Sequence, residues 1–489
     1  MSIRFTTVVQ VLLGVLWLVA GAGAAASSGA SELELACAGL YLTTILFLWF
    51  GVRLNAVFLK VYCLFFTIWF LLRVPYIVWS PASYLYAAQD PLTASRIAHD
   101  LTILMGFHLA MGAMALLTDI QFPLAVDSLL APAYAADLLR RLLPLLIAME
   151  AVAVAQARFT QFGAVWGFLR HFAETDLILR VVAYLACVAY PWKGQTRIYV
   201  GMCAGAVVIE SALTGSRAGI YLLALPVFLF MMARKQVRIR LTVTRIIAGL
   251  LFVPAAFGSY YIGTVLRQAR AENVNHDVKI SEIPSYLKEH PLSQGEQGES
   301  FADRVSQRVT ALDFYMVVVD RENSRDAHEV SFSNVFKEIA NEIVPGDIYP
   351  GNHDTALLFT VDYEGMPLDQ IAYVYTSRVP GLFATAVALS SVAWGVPLML
   401  LLWLVYLAIA MTVLQVTPGS FHGIVSFLIV YEAYSFFLMM GVDRFFFTEL
   451  VGYYVVQGVI VGTFLFFVRG RAVLPDNEYG LTTAAAGRP

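Results

Sequence analysis

Charged side chains are scarce in this 489-residue chain, and their scarcity excludes most classes of soluble protein. Asp, Glu, Lys and Arg together make up 14% of the residues, whereas soluble domains average about 25%. The formal net charge is -3, so the clustered basic surplus of a nucleic-acid-binding protein is missing as well. We therefore expect a chain whose main solvent is lipid and whose partners do not include nucleic acid.

The short motifs of metal and nucleotide chemistry are also missing. The cysteines lie in apolar runs without CxxC or Cys/His spacing, which argues against a zinc site and a disulfide framework. Neither GxxxxGK[ST] nor HExxH occurs, so the sequence predicts no cofactor and no metal. The nearest approach to a paired-carboxylate site is Glu32 with Glu34. The cysteines are Cys37, Cys63, Cys187 and Cys203.

Long apolar runs dominate what is present. Hydrophobic residues make up 59% of the chain and the mean hydropathy is +0.70, more apolar surface than one water-soluble core can bury. We predict an all-α fold, a polytopic transmembrane bundle of about twelve spans, with 380–393 as an additional half-helix. The predicted spans are 5–26, 35–52, 57–78, 101–118, 142–160, 177–192, 198–213, 218–233, 246–265, 394–415, 423–441 and 451–468.

Basic residues in short loops predict the orientation, because such residues favour the cytoplasmic side. They fall on alternate sides of consecutive spans and share one side if both termini are cytoplasmic. The chain then divides into spans one to nine (1–265), an extracytoplasmic loop (266–380), spans ten to twelve (381–472) and a cytoplasmic tail (473–489). The basic residues are Arg4, Arg53, Lys60, Arg140, Arg141, Lys193, Arg197, those of the 234–240 run, Arg469 and Arg471.

The loop 266–380 is where charge concentrates, with 10 Lys and Arg, 19 Asp and Glu and 4 of the 8 histidines. A capping box at 300–303 predicts a helix through Val319, and Ser333 is the predicted cap of a second helix that ends before Val344. The stretch 345–354 is too rich in proline and glycine for regular structure, which is typical of an active-site loop.

Arginines that break the positive-inside pattern predict the binding site. They are expected on the translocated side, where basic residues are disfavoured unless they have a function. Binding a diphosphate would be such a function, since the diphosphate oxygens match the guanidinium fork. The alternative is that these arginines snorkel or pair with Glu210, Asp176 and Asp443. The candidates are Arg73, Arg180, Arg217, Arg267, Arg270, Arg304, Arg308 and Arg444.

Among these arginines, Arg217 is the strongest individual candidate, because Gly215 and Ala218 leave room for a ligand to approach. For proton transfer we predict His353 as general base with Asp354 beside it, the alternative being a solvated or capping histidine. His108, inside a span, is predicted to be a packing histidine. Glu432, also inside a span, is predicted to form an ion pair or contact substrate.

Several of these motifs together resemble those of the O-antigen polymerases (Wzy-type oligosaccharide repeat-unit polymerases) and the related O-antigen ligases. They are Thr-Gly-Ser-Arg-Ala-Gly at 214–219, the helix 301–319 with its two arginines, Pro345-Gly346, and Asn352-His353-Asp354-x-x-Leu357. In the ligases an asparagine stands where this chain has Asp354, and here Met366–Val379 intervenes before the next span. The resemblance therefore favours a polymerase over a ligase.

The resemblance implies a reaction and its surroundings. The donor would be a glycan on polyprenyl diphosphate, such as undecaprenyl diphosphate, and the acceptor hydroxyl would belong to another lipid-linked repeat unit. It also implies a cell inner-membrane location with a periplasmic active site, contact with membrane lipids, and a chain-length regulator and a flippase as partners. The product would be a surface polysaccharide, such as the O-antigen of lipopolysaccharide, a capsule or an exopolysaccharide.

Two other functions stay open at this stage. A lipid-linked oligosaccharide flippase or other secondary transporter also fits about twelve spans, although transporters place their sites near the midplane. A polyprenyl-monophosphate-dependent sugar transferase would use Glu32 or Glu34 as its carboxylate.

Overall fold

The computed structural model describes the chain in segments. They are residues 2–26, 30–87, 91–124, 135–142, 181–188 without 183 and 187, 198, 201, 218–234, 238–240, 285, 311–322, 329–343, 349, 355–365, 367, 380–417 and 422–438. Within them the helices are α1 (Phe5–Ala26), α2 (Ala30–Leu54), α3 (Val57–Phe66), α4 (Val74–Trp79), α5 (Ala94–Gln121), α6 (Ala218–Ala233), α7 (Ala311–Arg321), α8 (Phe332–Ile343), α9 (Thr355–Glu364), α10 (Gly381–Leu389), α11 (Val392–Val416) and α12 (His422–Leu438).

Five helical segments among the described residues are long and apolar enough to cross a membrane: Phe5–Ala26, Ser31–Leu54, Val57–Trp79, Ala94–Gln121 and Val392–Val416. The segment Val57–Trp79 comprises α3, α4 and the helical turn between them. The five segments coincide with the predicted spans 5–26, 35–52, 57–78, 101–118 and 394–415. The protein is thus a helical, membrane-embedded protein.

The structure describes the remaining predicted spans to different extents. Helices α6, α10 and α12 form where 218–233, the half-helix in 380–393 and 423–441 were predicted. The predicted spans 142–160, 177–192, 198–213, 246–265 and 451–468, and the tail 473–489, lie wholly or largely outside the described residues. A total of about twelve spans stays a prediction.

Helix caps explain where several of these helices begin. Thr93 Oγ1 accepts a hydrogen bond from the backbone N–H of Arg96 at the start of α5, and Ser391 Oγ accepts one from Trp394 at the start of α11. For α3 the cap comes from another helix, because the Asp119 carboxylate of α5 accepts three backbone N–H groups, at 2.7, 3.0 and 2.9 Å. These donors belong to residues 57–59.

The core between the spans is aromatic. Phe383 of α10 lies against Phe66, Phe70 and Phe107, with ring centroids 6.1, 5.2 and 5.7 Å apart. His108 stacks on Phe66 with centroids 4.0 Å apart, and its ring nitrogens bond the hydroxyls of Thr44 and Tyr62. This buried, bonded ring is the packing histidine that the sequence predicted.

One end of the bundle, here called the basic end, joins the N-terminus to the segment after α6. Ser2–Arg4 pairs antiparallel with Arg238–Arg240, and Arg4 lies opposite Arg238. Lys60 Nζ donates to the carbonyl of Ala233, the last residue of α6, 3.0 Å away. Arg4, Lys60 and the strand Arg238–Arg240 thus lie at one end of the bundle, and the cytoplasmic side assigned to them stays a prediction. In this short strand pair the extended flanking residues satisfy each other's backbone groups, and the fold is helical as predicted.

The loop 266–380 contributes helices to the same core. Residues 311–319 of α7 are all buried, and α7 lies against α10 and against the π-helical turn Thr67–Leu71 that connects α3 to α4. A helix through Val319 was predicted, and the described part of that stretch is helical. The predicted cap Ser333 is wrong. Helix α8 begins at Phe332, and Ser331 Oγ accepts the backbone N–H of Asn334, since the cap must precede the first turn.

Candidate functional site

The helices of the loop dock on the span bundle at the end opposite the basic end, here called the loop end. Its central contact is a buried ion pair. Arg73 Nε donates to Asp313 Oδ1 at 2.8 Å and Arg73 Nη2 to Asp313 Oδ2 at 2.7 Å. Both side chains are nearly inaccessible to water, at 1% and 0% exposure. The pair is bidentate and fully desolvated, so it fixes α7 to the span Val57–Trp79.

The segment 80–87 closes over this ion pair. Arg73 Nη2 also donates to the Ser83 carbonyl at 2.8 Å, and the backbone N–H of Leu85 donates to Asp313 Oδ2 at 3.0 Å. Two further atoms, Arg73 Nη1 and Ser83 Oγ, are buried without a hydrogen-bond partner. The pair therefore keeps one donor nitrogen beyond those that Asp313 and Ser83 occupy.

The backbone around Arg73 is irregular. The five residues Thr67–Leu71 form a π-helical turn inside an otherwise α-helical span, a rare feature that is frequent at functional sites. Tyr41 of α2 donates its hydroxyl hydrogen to the Leu71 carbonyl at 2.7 Å. The guanidinium carbon of Arg73 lies 5.0 Å from the ring centroid of Tyr76. The position of Arg73 is thus supported by a hydrogen bond to the backbone just before it and by a ring contact just after it.

A second group of charges lies at the start of α5. Arg96 Nη2 pairs with Asp320 Oδ2 of α7 at 2.7 Å, which is a second link between α7 and a span. His99 Nδ1 lies 3.3 Å from Asp100 Oδ1; the His99 side chain is 70% exposed and that of Asp100 1% exposed. The other carboxylate oxygen of Asp100 is buried without a partner. Sequence reasoning missed this group, although His99 and Asp100 stand directly before the predicted span 101–118.

Tyr315 of α7 lies beside this second group. Burial raises the pKa of its phenol well above 10, and the Asp100 carboxylate adds to the rise. The phenol therefore stays protonated across the physiological range. Its hydroxyl, like Asp100 Oδ2, is buried without a hydrogen-bond partner. Two unpartnered buried polar atoms in one neighbourhood call for a functional explanation.

The helices of the loop are also bonded to one another. Asp362 of α9 accepts the backbone N–H groups of Glu329 and Val330, both at 2.9 Å. The Tyr363 hydroxyl donates to Glu322 at 2.6 Å. Glu364 accepts from Tyr86 at 2.8 Å, which ties α9 to the segment 80–87. The segments around α7, α8 and α9 thus form one bonded unit on the spans.

Of the predicted site residues, the structure describes one. Arg73 lies in the buried pair with Asp313, so the charge that was expected to meet a diphosphate is balanced by a protein carboxylate. Direct contact of Arg73 with a substrate stays a prediction. Nη1 is the guanidinium nitrogen that would make this contact, because the other two nitrogens are bonded to Asp313 and Ser83. The remaining predicted residues lie outside the described segments: Arg180, Arg217, Arg267, Arg270, Arg304, Arg308, Arg444, His353 and Asp354.

Glu432 is a buried carboxylic acid residue within the apolar helix α12. It is 1% exposed in the middle of α12, close to Tyr406 of α11. The ion pair or substrate contact that the sequence predicted for it stays a prediction.

Comparisons of the chain with protein-family models, with curated proteins and with solved structures find no match.

Proposed function

We propose that this protein is a membrane glycosyltransferase that joins polyprenyl-diphosphate-linked oligosaccharide repeat units into a surface polysaccharide. The observation that carries the proposal is the docking of α7 on the spans through the buried Arg73–Asp313 pair. An enzyme that joins two lipid-linked glycans must hold its polar groups against the membrane surface, where both substrates are anchored. The charged pairs between α7 and the spans at the loop end support this arrangement.

The chemistry asked of such an enzyme is modest, because the leaving group is already activated. Catalysis consists of orienting two substrates and stabilising the charge that develops on the departing diphosphate. Arginines suit this task, and Arg217 is the predicted principal one. Arg180, Arg267, Arg270, Arg304, Arg308 and Arg444 are predicted to complete the binding surface, and His353 beside Asp354 is the base predicted from the sequence.

The proposal also sets the cellular arrangement. The loop end would face the periplasm and the basic end the cytoplasm of a cell inner membrane, since basic residues favour the cytoplasmic side. A flippase would deliver the lipid-linked units and a chain-length regulator would act with the polymerase. The exposed apolar faces of α1 and α11 are typical of helices that contact lipid.

The test uses the purified full-length protein in lipid nanodiscs with a polyprenyl-diphosphate oligosaccharide as the only glycan. We expect a ladder of products that differ by one repeat unit. Arg217→Ala should lower the rate by about 100-fold or more, the effect of removing one donor to a developing charge. Arg140→Ala, an exposed arginine at the predicted cytoplasmic side, is the matched control and should leave the ladder unchanged.

Different results would overturn different parts of the proposal. A normal ladder from Arg217→Ala would remove Arg217 from the site. A ladder from monophosphate donors alone would favour the sugar transferase that uses Glu32 or Glu34. Transfer only to a glycolipid acceptor that contains no polyprenyl diphosphate would favour a ligase.

A transporter is the second candidate, and Glu432 favours it. A carboxylate buried in the middle of a span is a feature of proton- and ion-coupled transporters. Movement of the lipid-linked glycan across proteoliposomes without formation of glycosidic bonds, abolished by Glu432→Gln, would establish the transporter in place of the polymerase.

A further inference from the structure

The start of α5 contains two adjacent residues with opposite environments. The His99 side chain is 70% exposed, whereas that of Asp100 is 1% exposed, although they are neighbours in the chain. Asp100 Oδ1 lies 3.3 Å from His99 Nδ1, within hydrogen-bond distance. In this arrangement a buried carboxylate holds one ring nitrogen of an exposed histidine, and the other ring nitrogen, Nε2, is directed away from the bond.

The geometry points to a general base: we propose that His99, held in one tautomer by Asp100, removes the proton from the acceptor hydroxyl. A carboxylate that accepts from Nδ1–H leaves Nε2 as the basic nitrogen and stabilises the imidazolium that forms. The inference rests on the proposed glycosyltransferase function and deepens it. It moves the role of base from His353 to His99, and Asp100 becomes a positioning residue.

A second observation supports a site here. Asp100 Oδ2 and the Tyr315 hydroxyl are both buried without a hydrogen-bond partner, although each can form one. Leaving such groups unpaired in a protein interior costs about 1–3 kcal/mol each. If Asp100 and Tyr315 served packing alone, their unpaired buried oxygens would not be needed. An amide or an apolar side chain would fill the same space at a lower cost in folding free energy.

The described groups that lie beside this dyad from α5 and α7 are paired or neutral. Arg96, on the same helix, is balanced by Asp320 of α7 at 2.7 Å. Tyr315, the other titratable group that faces Asp100 from α7, stays neutral because burial raises its pKa well above 10. Among the residues that the structure describes, Asp100 is the carboxylate in contact with His99.

In the described part of the chain, the charged residues of the other helices that lie against α5 are exposed to solvent, paired with another residue, or at the basic end. Glu32 and Glu34 of α2 are exposed to solvent, and α11 contains no charged residue. Arg73, in the span Val57–Trp79, is neutralised by Asp313. Lys60 of the same span lies at the basic end.

The reaction step is balanced without any further reagent. The acceptor hydroxyl transfers its proton to His99 Nε2. At the same time the acceptor oxygen forms a bond to the anomeric carbon of the donor. The bond between that carbon and the diphosphate oxygen breaks, and polyprenyl diphosphate leaves with the electron pair. The exposed imidazolium then returns its proton to water.

The test measures polymerisation rates with a defined polyprenyl-diphosphate oligosaccharide in nanodiscs. We expect His99→Gln to lower the rate by about 100-fold or more, the usual contribution of general base catalysis. Because the side chain is exposed, free imidazole should restore part of the activity of His99→Ala, which a structural role would not allow. His422→Gln, at the basic end where the ring bonds the Thr417 carbonyl, is the matched control and should retain the wild-type rate.

Asp100→Asn tests the positioning role separately. The amide cannot stabilise an imidazolium, so the acid limb of the rate profile should move to lower pH and the maximal rate should fall. Size-exclusion profiles show whether Asp100→Asn is folded, and the His99 variants decide the proposal if it is not.

The possible results are distinct. A His99→Gln rate within about threefold of wild type, or an Asp100→Asn profile that matches wild type in both position and height, would overturn the dyad and leave the glycosyltransferase intact. The same holds if His353→Gln alone removes activity. If the wild-type protein forms no glycosidic bond from any defined donor, the proposed function falls, and the dyad falls with it.

Discussion

The two ends of the bundle use charged residues in different ways. At the basic end, charged groups complete the backbone: Asp119 accepts three N–H groups at the start of α3, and Lys60 donates to the last carbonyl of α6. At the loop end, charged side chains pair with each other across the junction between the loop and the spans. There, Arg73 Nη1 and Asp100 Oδ2 remain buried without partners.

This contrast separates structural charges from candidate functional ones. A carboxylate that accepts the N–H groups of a first helical turn acts as a cap, and most of its acceptor capacity is used in that contact. A buried group with an unsatisfied atom is costly, and natural proteins keep few of them. The loop end is therefore where substitutions should change activity as well as stability.

The largest loss of stability should follow Asp313→Ala. This change leaves the Arg73 guanidinium buried without its counter-ion, and breaking a buried pair in this way costs about 3–5 kcal/mol. We expect a marked fall in the Tm of the protein in detergent and faster proteolysis within 266–380. Asp137→Ala, which removes a partly exposed partner of Arg141, is the control and should barely change the Tm.

The double variant Arg73→Met with Asp313→Leu sharpens the same comparison. Apolar residues of similar size often replace a buried ion pair without loss of stability. We expect the Tm to recover while polymer formation does not. Recovery of both would show that the pair only fastens α7 to the spans.

An intermediate effect is expected from Asp119→Ala at the basic end. Losing an N-cap acceptor costs about 0.5–2 kcal/mol, and here one carboxylate serves three donors. The Tm should fall by less than in Asp313→Ala, and the surviving folded protein should keep the wild-type activity per molecule. Reduced specific activity in this variant would contradict the division between the two ends.

The smallest effect is expected from Asp320→Asn. Its pair with Arg96 is partly exposed, with 16% and 39% of the two side chains accessible, and such pairs contribute less than about 1 kcal/mol. Thermal unfolding at low and high salt should show a small difference that salt removes. A large, salt-independent loss would place this pair in the same class as Arg73–Asp313.

The spans could be predicted from the sequence because hydropathy depends on local composition. The runs 5–26, 57–78 and 394–415 coincide with helices that the structure describes. The partners of the charged residues could not be predicted in this way. Arg73 and Asp313 are 240 positions apart, and only the packing of α7 on the spans brings them together.

The residues of the candidate site could be predicted from the sequence only in part. Arginines on the translocated side were conspicuous because they violate the positive-inside rule, and Arg73 was identified on that ground. His99 and Asp100 violate no rule, since polar residues at the edge of a span are ordinary. Their distinction is the difference in exposure between them, which requires coordinates. The predicted cap Ser333 was wrong for a similar reason, since the position of the cap depends on where the first helical turn closes, and Ser331 occupies it.

The π-helical turn Thr67–Leu71 has a consequence for how this chain tolerates changes of length. A π-turn holds one residue more than the α-helix it interrupts, so removing one residue there can restore a regular helix while Arg73 keeps its direction. Removing one residue from another part of Val57–Trp79 that precedes Arg73 would rotate the guanidinium by about 100° about the helix axis, away from Asp313. Deletions within this span should therefore be accepted at the π-turn and rejected on its N-terminal side.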